Sequence, residues 1–418
     1  MARCFIIPPH LLKAISESSA NSNATRQAAQ AALSSHQNVI VNRKDCLRRC
    51  SSSRALPPPA ASPFIPAHVL RHISQSEHVD EASRAAALRT LEHTRDSGAP
   101  RVSGEETVQP ATDKGRPKDS SHPHRMVYDA EHVSSEAELP GKLVRAEGDK
   151  KAGDNTANEA YDNVGSVLEF FKDYFDWKSI DNKNADIISS IHFGEQYENA
   201  FWDSKDRQMV FGDGGEFLSN FTGCIDVIGH ELTHAVTEHR AALNYEGQPG
   251  ALNEHVSDVF GIMIKQKAQD EKAEDADWLI GEDCILPGVK GVALRSMKAP
   301  GTAYDDPRFG KDPQVDNMKD FQQTYEDNGG VHIYSGIPNK AFYLVAKEFG
   351  GYSWEKAGQI WWKALRKVHA NCTFLQFADA TVSIAEKEFD DDAAQVVRKA
   401  WNEVGVTEKD PGDWCVVF

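Results

Sequence analysis

The chain has 418 residues, 40% of them hydrophobic and 26% charged, with a formal net charge of −17. That length allows two or three domains with a buried core, and the composition is globular rather than disordered. The acidity excludes nucleic acid as a main partner, because phosphate binding needs a basic surface, and no stretch approaches the length of a membrane span.

The N-terminal third has its own character. Residues 1–124 carry 16 Lys and Arg against 11 Asp and Glu, a net +5, which leaves −22 on the rest. A basic leader is drawn electrostatically to an acidic body; an incidental basic tail reads equally well on charge alone. The apolar run after Met1 is broken by Pro8 and Pro9, too early for the core of a secretory signal. The cysteines (4, 46, 50, 224, 284, 372 and 415) are scattered, with no metal-spaced pair and no disulfide framework. These features predict a cytoplasmic protein, or one exported by an unconventional route.

The leader repeats itself. Phe5-Ile6-Ile7-Pro8-Pro9-His10-Leu11-Leu12 returns as Phe64-Ile65-Pro66-Ala67-His68-Val69-Leu70, and from His10 and His68 onward the copies align without gaps. Each copy predicts an extended arm, a short helix and an Ala-rich helix, the last over 26–33 and 80–93. Two copies are too few for a solenoid, so they read as a tandem duplication of a small module. Residues 51–59 and 96–124 are polar, Pro- and Ser-containing linkers, and the second is a natural place for proteolytic nicking.

Beyond the leader, Tyr161, Val164, Val167, Phe170 and Phe171 predict a helix over 158–176, with short apolar runs at 187–193 and 209–211. From Cys224 the pattern becomes helical, over 225–240, 250–267, 335–349, 354–369, 374–388 and 391–404. The predicted fold class is α+β, in two lobes with a cleft between them. The expected boundaries are 1–61 and 62–124 for the repeats with their linkers, 125–225 for a mixed α/β lobe, 226–406 for a helical lobe, and 407–418 for a tail.

Within the first helix of the second lobe lies His230-Glu231-Leu232-Thr233-His234. Histidines four apart share a helix face and can direct ring nitrogens at one zinc, while Glu231 can reach a water without ligating the metal. Glu254 is the candidate third ligand, with an ordinary carboxylate as the alternative. Asp258, one turn further on, is the candidate partner for the second nitrogen of a ligating histidine. The zincin class with a third histidine just past the second is excluded by Thr237 and Arg240, and His239 is a decoy.

Together with Tyr197-Glu198-Asn199-Ala200-Phe201-Trp202, Gln208-Met209-Val210-Phe211-Gly212-Asp213-Gly214 and Asp327-Asn328-Gly329-Gly330-Val331-His332, these motifs resemble the thermolysin-like metallopeptidases, in particular the protealysin group, over residues 126–406. The resemblance implies a thermolysin-like two-lobe catalytic domain preceded by a short helical propeptide. It implies His230, His234 and Glu254 as zinc ligands, Glu231 as general base, Tyr245 and His332 as donors to the oxyanion, and Asp327 as the group orienting His332. Taken singly, Tyr245 and His332 would read as a packed aromatic and a core histidine. Asn199 and the backbone of Ala200 match the edge that binds substrate main chain, and Arg295 matches the arginine that holds a carbonyl beyond the scissile bond. Leu218, Phe221, Val227, Ile280 and Leu294 match the wall of a pocket for a bulky hydrophobic residue on the carboxyl side of the cut.

Two departures from the family pattern stand out. Asp226, Asp277 and Glu282 remain of a calcium cluster, but Lys265 and Leu279 replace expected carboxylates, so Ca²⁺ is expected to be reduced or absent. The propeptide-like arm occurs twice, and the copy at 62–95 is expected to cover the cleft until cleavage within 96–125. The expected partners are protein and peptide substrates and the chain's own propeptide. Cys415-Val416-Val417-Phe418 fits a prenylation box, a membrane anchor only in a eukaryotic host. The competing reading is a non-catalytic zinc-binding interaction protein that uses its tandem N-terminal modules.

Overall fold

The computed structural model describes residues 62–407 apart from 64, 97–120, 205, 308–309 and 326. The first repeat, most of the second linker and the tail with Cys415 lie outside the described residues. Among the described residues no helix is long and apolar enough to cross a membrane.

Six strands form one mixed sheet: β1 (Ser62–Pro63), β2 (Arg125–Asp129), β3 (Lys142–Ala146), β4 (Ile187–Ile191), β5 (Ala200–Asp203) and β6 (Gln208–Phe211). Their spatial order is β1-β5-β6-β4-β2-β3. The central β6-β4-β2 pairs are parallel, and the flanking pairs are antiparallel. Helices α1 (Ala67–Gln75) and α2 (Glu81–Asp96) belong to the leader, and α3 (Asn155–Phe175) packs on the sheet at β2 and β4. Asp154 caps α3 by accepting from Thr156 N at 2.9 Å, which satisfies one of the donors a helix start leaves open. Arg125 on β2 bonds both Glu147 just after β3, at 2.7 Å, and the Tyr161 hydroxyl on α3, at 3.0 Å, tying the sheet to its helix.

The second lobe is built from α4 (Ile225–Arg240), α5 (Gly247–Gln269), a helical segment α6 (Asp327–Tyr334), α7 (Gly336–Phe349), α8 (Lys356–Ala364), α9 (Phe374–Glu388) and α10 (Asp391–Glu403). Two small ribbons pair β7 (Leu279–Ile280) with β8 (Arg295–Ser296), and β9 (Asp305–Asp306) with β10 (Gly310–Lys311). The sequence pattern places α4 and α9 to the residue. It carries α8 too far, to 369, because the amphipathic pattern continues through the turns that follow Ala364. It passes over α6, whose Asn328, Gly329 and Gly330 adopt left-handed φ of 50°, 86° and 80° and show no helical periodicity.

Helices α4 and α5 cross where Gly229 meets Gly261. A Cβ on Gly261 would lie 2.7 Å from the Asp226 carbonyl, and one on Gly229 would lie 2.9 Å from Ile264. Only paired glycines let these two backbones approach so closely.

The leader is packed into this body rather than beside it. β1 extends the sheet at β5, and Ile65, Val69, Leu70 and Ile73 are fully buried in the main core. Complete burial of such side chains stabilises by about 1.5–3 kcal/mol each.

Candidate active site

The one-turn spacing on α4 brings the Nε2 atoms of His230 and His234 to 3.1 Å from each other. Glu254 reaches them from α5, with carboxylate oxygens 3.4 Å from His230 Nε2 and 3.6 Å from His234 Nε2. All three are buried, and among the described residues they are the one cluster of three side chains able to hold a metal ion. A tetrahedral zinc with bonds of about 2.0–2.1 Å separates its donors by about 3.4 Å, so the set fits that ion.

The other ring nitrogens are held in place. His230 Nδ1 donates to Asp258 at 2.8 Å, and His234 Nδ1 lies 2.8 Å from Asn253 Oδ1 and 3.1 Å from Ser257 Oγ. Burial alone would lower the His230 pKa, but Asp258 and Glu254 outweigh it and raise it to about 9. A metal ion held by these donors would take the place of that proton. Burial, with the neighbouring His230 charge, takes His234 down to about 4, into the neutral form a metal needs.

Glu231 lies beside this cluster and is completely buried. Its Oε2 accepts from the Trp202 backbone N–H at 2.8 Å, and its Oε1 has no hydrogen-bond partner among the described residues. Burial, reinforced by the nearby Glu254 carboxylate, pushes its pKa up to about 8. A carboxylate so placed is a stronger base than one in water.

The left-handed turn at Asn328–Gly330 folds Asp327 back onto His332. One Asp327 oxygen accepts from His332 Nδ1 at 2.7 Å and the other from the His332 backbone N–H at 2.9 Å. Burial opposes charge on this ring, but Asp327 and Glu254 raise His332 to about 9, so its Nε2 carries a proton. That Nε2 is 3.4 Å from the Tyr245 hydroxyl, which itself donates to Glu254.

The remaining sequence candidates fall into three places. Leu218, Phe221, Val227, Ile280 and Leu294 all lie in the main buried core. Arg295 is buried and binds Asp258 with Nη2 at 2.8 Å and Nε at 2.9 Å, so Asp258 connects the arginine to His230. Asn199, at the start of β5, accepts from Ile65 N at 2.6 Å and donates to Ile65 O at 3.2 Å. The leader thus holds both main-chain groups of Ile65 against the residue expected to bind substrate main chain.

At the acidic cluster, Lys265 places its Nζ 3.0 Å from Glu282, 3.4 Å from Asp277 and 3.2 Å from the Leu279 carbonyl. Asp226 is buried, accepts from Gly281 N at 2.8 Å and lies near enough for its charge to help hold the Lys265 ammonium protonated.

Sequence reasoning missed Asn253 and Ser257, which hold His234, and Asn339, which donates to Asp258 at 2.9 Å. The first two were within reach. Asn253, Glu254, Ser257 and Asp258 lie at i, i+1, i+4 and i+5 of one helix, on a single polar stripe. Asn339 comes from α7, and no local pattern signals it.

Comparison with known proteins agrees with this geometry. A family profile described as "Thermolysin metallopeptidase, catalytic domain" matches residues 103–238, one described as "Thermolysin metallopeptidase, alpha-helical domain" matches 241–406, and "Protealysin propeptide" matches 63–96. The chain is 44% identical over 352 residues to Protease PrtS of Photorhabdus sp. (strain Az29), covering 83% of this chain and 92% of that one. It is 48% identical over 286 residues to an extracellular metalloprotease of Pectobacterium carotovorum subsp. carotovorum, covering 68% and 81%. A solved structure, the precursor of protealysin from Serratia proteamaculans, matches with TM-score 0.73 and 46% identity, covering 83% of this chain and all of that one.

Proposed function

The chain belongs to the thermolysin metallopeptidases, and from that premise we propose how its own residues cut a peptide bond and how its leader restrains them. It is a zinc metallopeptidase made with a propeptide. The competing reading, a non-catalytic zinc-binding protein, gains no support from the relatives described above, which are named as a protease, a metalloprotease and a metalloproteinase.

The observation that carries the mechanism is the buried Oε1 of Glu231, which has no hydrogen-bond partner among the described residues and lies beside the His230–His234–Glu254 cluster. Zinc held by those three supplies Lewis acidity toward water and the substrate carbonyl. Glu231 takes the proton of the attacking water at Oε1 and later delivers it to the leaving amine. His332 Nε2–H and the Tyr245 hydroxyl donate to the carbonyl oxygen as it gains charge, with Asp327 holding the imidazole in its charged form. Asn199 and the Ala200 backbone bind substrate main chain, and Arg295, braced by Asp258, holds the next carbonyl. The apolar wall from Leu218 to Leu294 favours cleavage on the N-terminal side of a bulky hydrophobic residue. One methylene there discriminates by only about 1–3 kcal/mol, so specificity is broad.

The leader inhibits by occupying the substrate's place, since Ile65 already satisfies Asn199. Residues 62–124 act as propeptide and activation linker, 125–225 and 226–406 as the two catalytic lobes. Calcium binding at Asp226, Asp277 and Glu282 is expected to be reduced or absent, because the Lys265 ammonium stands among them. The relative named extracellular supports action outside the cell, and the cytoplasmic alternative draws nothing from it.

The test compares casein hydrolysis by the leader-free enzyme, its Glu231→Gln variant and the enzyme with a zinc chelator. Glu231→Gln should retain stoichiometric zinc and lose roughly 10²–10⁴-fold in kcat. Full activity in that variant would overturn the mechanism.

A further inference from the structure

Two cysteines 60 positions apart in sequence meet in the core. Cys224 immediately precedes α4, Cys284 ends a short 3-10 turn at Glu282–Cys284, and their sulfurs are 2.9 Å apart. Both are essentially inaccessible to solvent, at 1% and 0% exposure. Both are free thiols in this structure, and their meeting depends on tertiary structure that their spacing in the sequence does not reveal.

The backbones are held together independently of the sulfurs. Ser219 N donates to Cys284 O at 3.1 Å, Leu218 bridges to Ile285, and Cys224 N donates to Asn220 O at 3.1 Å. The two side chains therefore face each other across a fixed framework.

We infer that Cys224 and Cys284 are a redox pair that closes into a disulfide when the chain folds in the presence of a small-molecule disulfide. The thiolate of one cysteine attacks that reagent, breaks its S–S bond and expels one small thiol, leaving a mixed disulfide. The second protein thiolate attacks the protein sulfur of that intermediate and expels the other small thiol. Two protons leave the cysteines, the two protein sulfurs are oxidised by two electrons, and the reagent is reduced to two thiols. Burial pushes the Cys284 thiol well above its ordinary range, so exchange is slow in the native fold and the bond forms during folding.

The bond would staple the start of the helix bearing His230, Glu231 and His234 to the loop that pairs with Leu218 and follows Ile280. It closes a long loop of the unfolded chain, which restricts that state and raises stability.

The full-length protein, folded with glutathione disulfide, is denatured without reductant, alkylated, digested and mapped by mass spectrometry. The expected product is a peptide pair joined through Cys224 and Cys284 that separates on reduction. Alkylation of both as free thiols, or a bridge from either to another cysteine, overturns the inference. Reductant should also lower the unfolding temperature of the oxidised protein by roughly 5 °C or more, and should leave the Cys224→Ala/Cys284→Ala protein unchanged. Equal shifts in both would likewise overturn it. The mapping needs no variant to fold and no catalytic activity, so its outcome is separate from that of the peptidase reading.

Discussion

Single residues at the metal site work in connected sets. Asp258 is the clearest case: it accepts from His230, pairs with Arg295 and receives Asn339, all in the dry interior. Asp258→Asn keeps the size but removes the charge that orients the ligand, so zinc affinity should fall about 10–100-fold in competition with a chromophoric chelator. Unchanged affinity would remove Asp258 from the support of the metal. Lys265 is a second case. Its side chain is buried, and its charge acts on the buried Asp226 as well as on the partly exposed Asp277 and Glu282, so Lys265→Ala leaves a buried carboxylate without its opposite charge and should destabilise by about 3–5 kcal/mol. Calcium should then raise the melting temperature of the variant and not that of the parent, and a calcium response in the parent would refute the substitution of ammonium for metal. Much of the site was legible in the sequence because helix geometry carries local information: His230, Glu231 and His234 lie within one turn and a quarter. What joins them to Asn339, or sets the Trp202 backbone N–H on Glu231, is contact between distant segments and leaves no periodic trace.

Continuous helices were legible in the sequence, and turns that fold distant side chains together were not. Helix α4 is buried on every side from Asp226 to Thr237 and was placed to the residue, whereas α6 holds a left-handed turn that positions Asp327 and has no regular helical backbone. The Gly229–Gly261 crossing, which brings Glu254 up to the histidines, belongs to no element's own pattern, since either glycine alone looks like a mild helix defect. The sheet is tied to α3 by a charge whose titration can be followed. The Arg125 guanidinium bonded to Glu147 holds its carboxyl at about 2, below the ordinary 4.5. A depressed carboxylate contributes its stability in full above the ordinary value and loses it as pH falls toward the folded one. Thermal melts of the parent and Glu147→Gln should therefore differ by a constant amount above about pH 5 and converge near pH 2. A gap that persists at pH 2 would mean that packing, not charge, accounts for the effect of Glu147.

At the scale of the whole molecule, the leader is a structural layer of the precursor, supplying a sheet-edge strand and four fully buried aliphatic side chains. Ile65→Asp places a charge in that buried position and should raise the peptidase activity of the uncut precursor at least tenfold, since a buried unpaired charge costs several kcal/mol. Activity equal to that of the parent precursor would mean that the leader does not block the cleft. The contact between Ile65 and Asn199 has one more consequence, which concerns volume. While residues 97–120 join leader to body, the leader faces the cleft at an effective concentration on the order of millimolar, whatever the amount of enzyme present. Once that connection is cut, the same contact becomes an ordinary encounter between two molecules and weakens with dilution. A cut made in a confined space would leave the enzyme largely silent, and release into a large volume would complete its activation without any further chemistry.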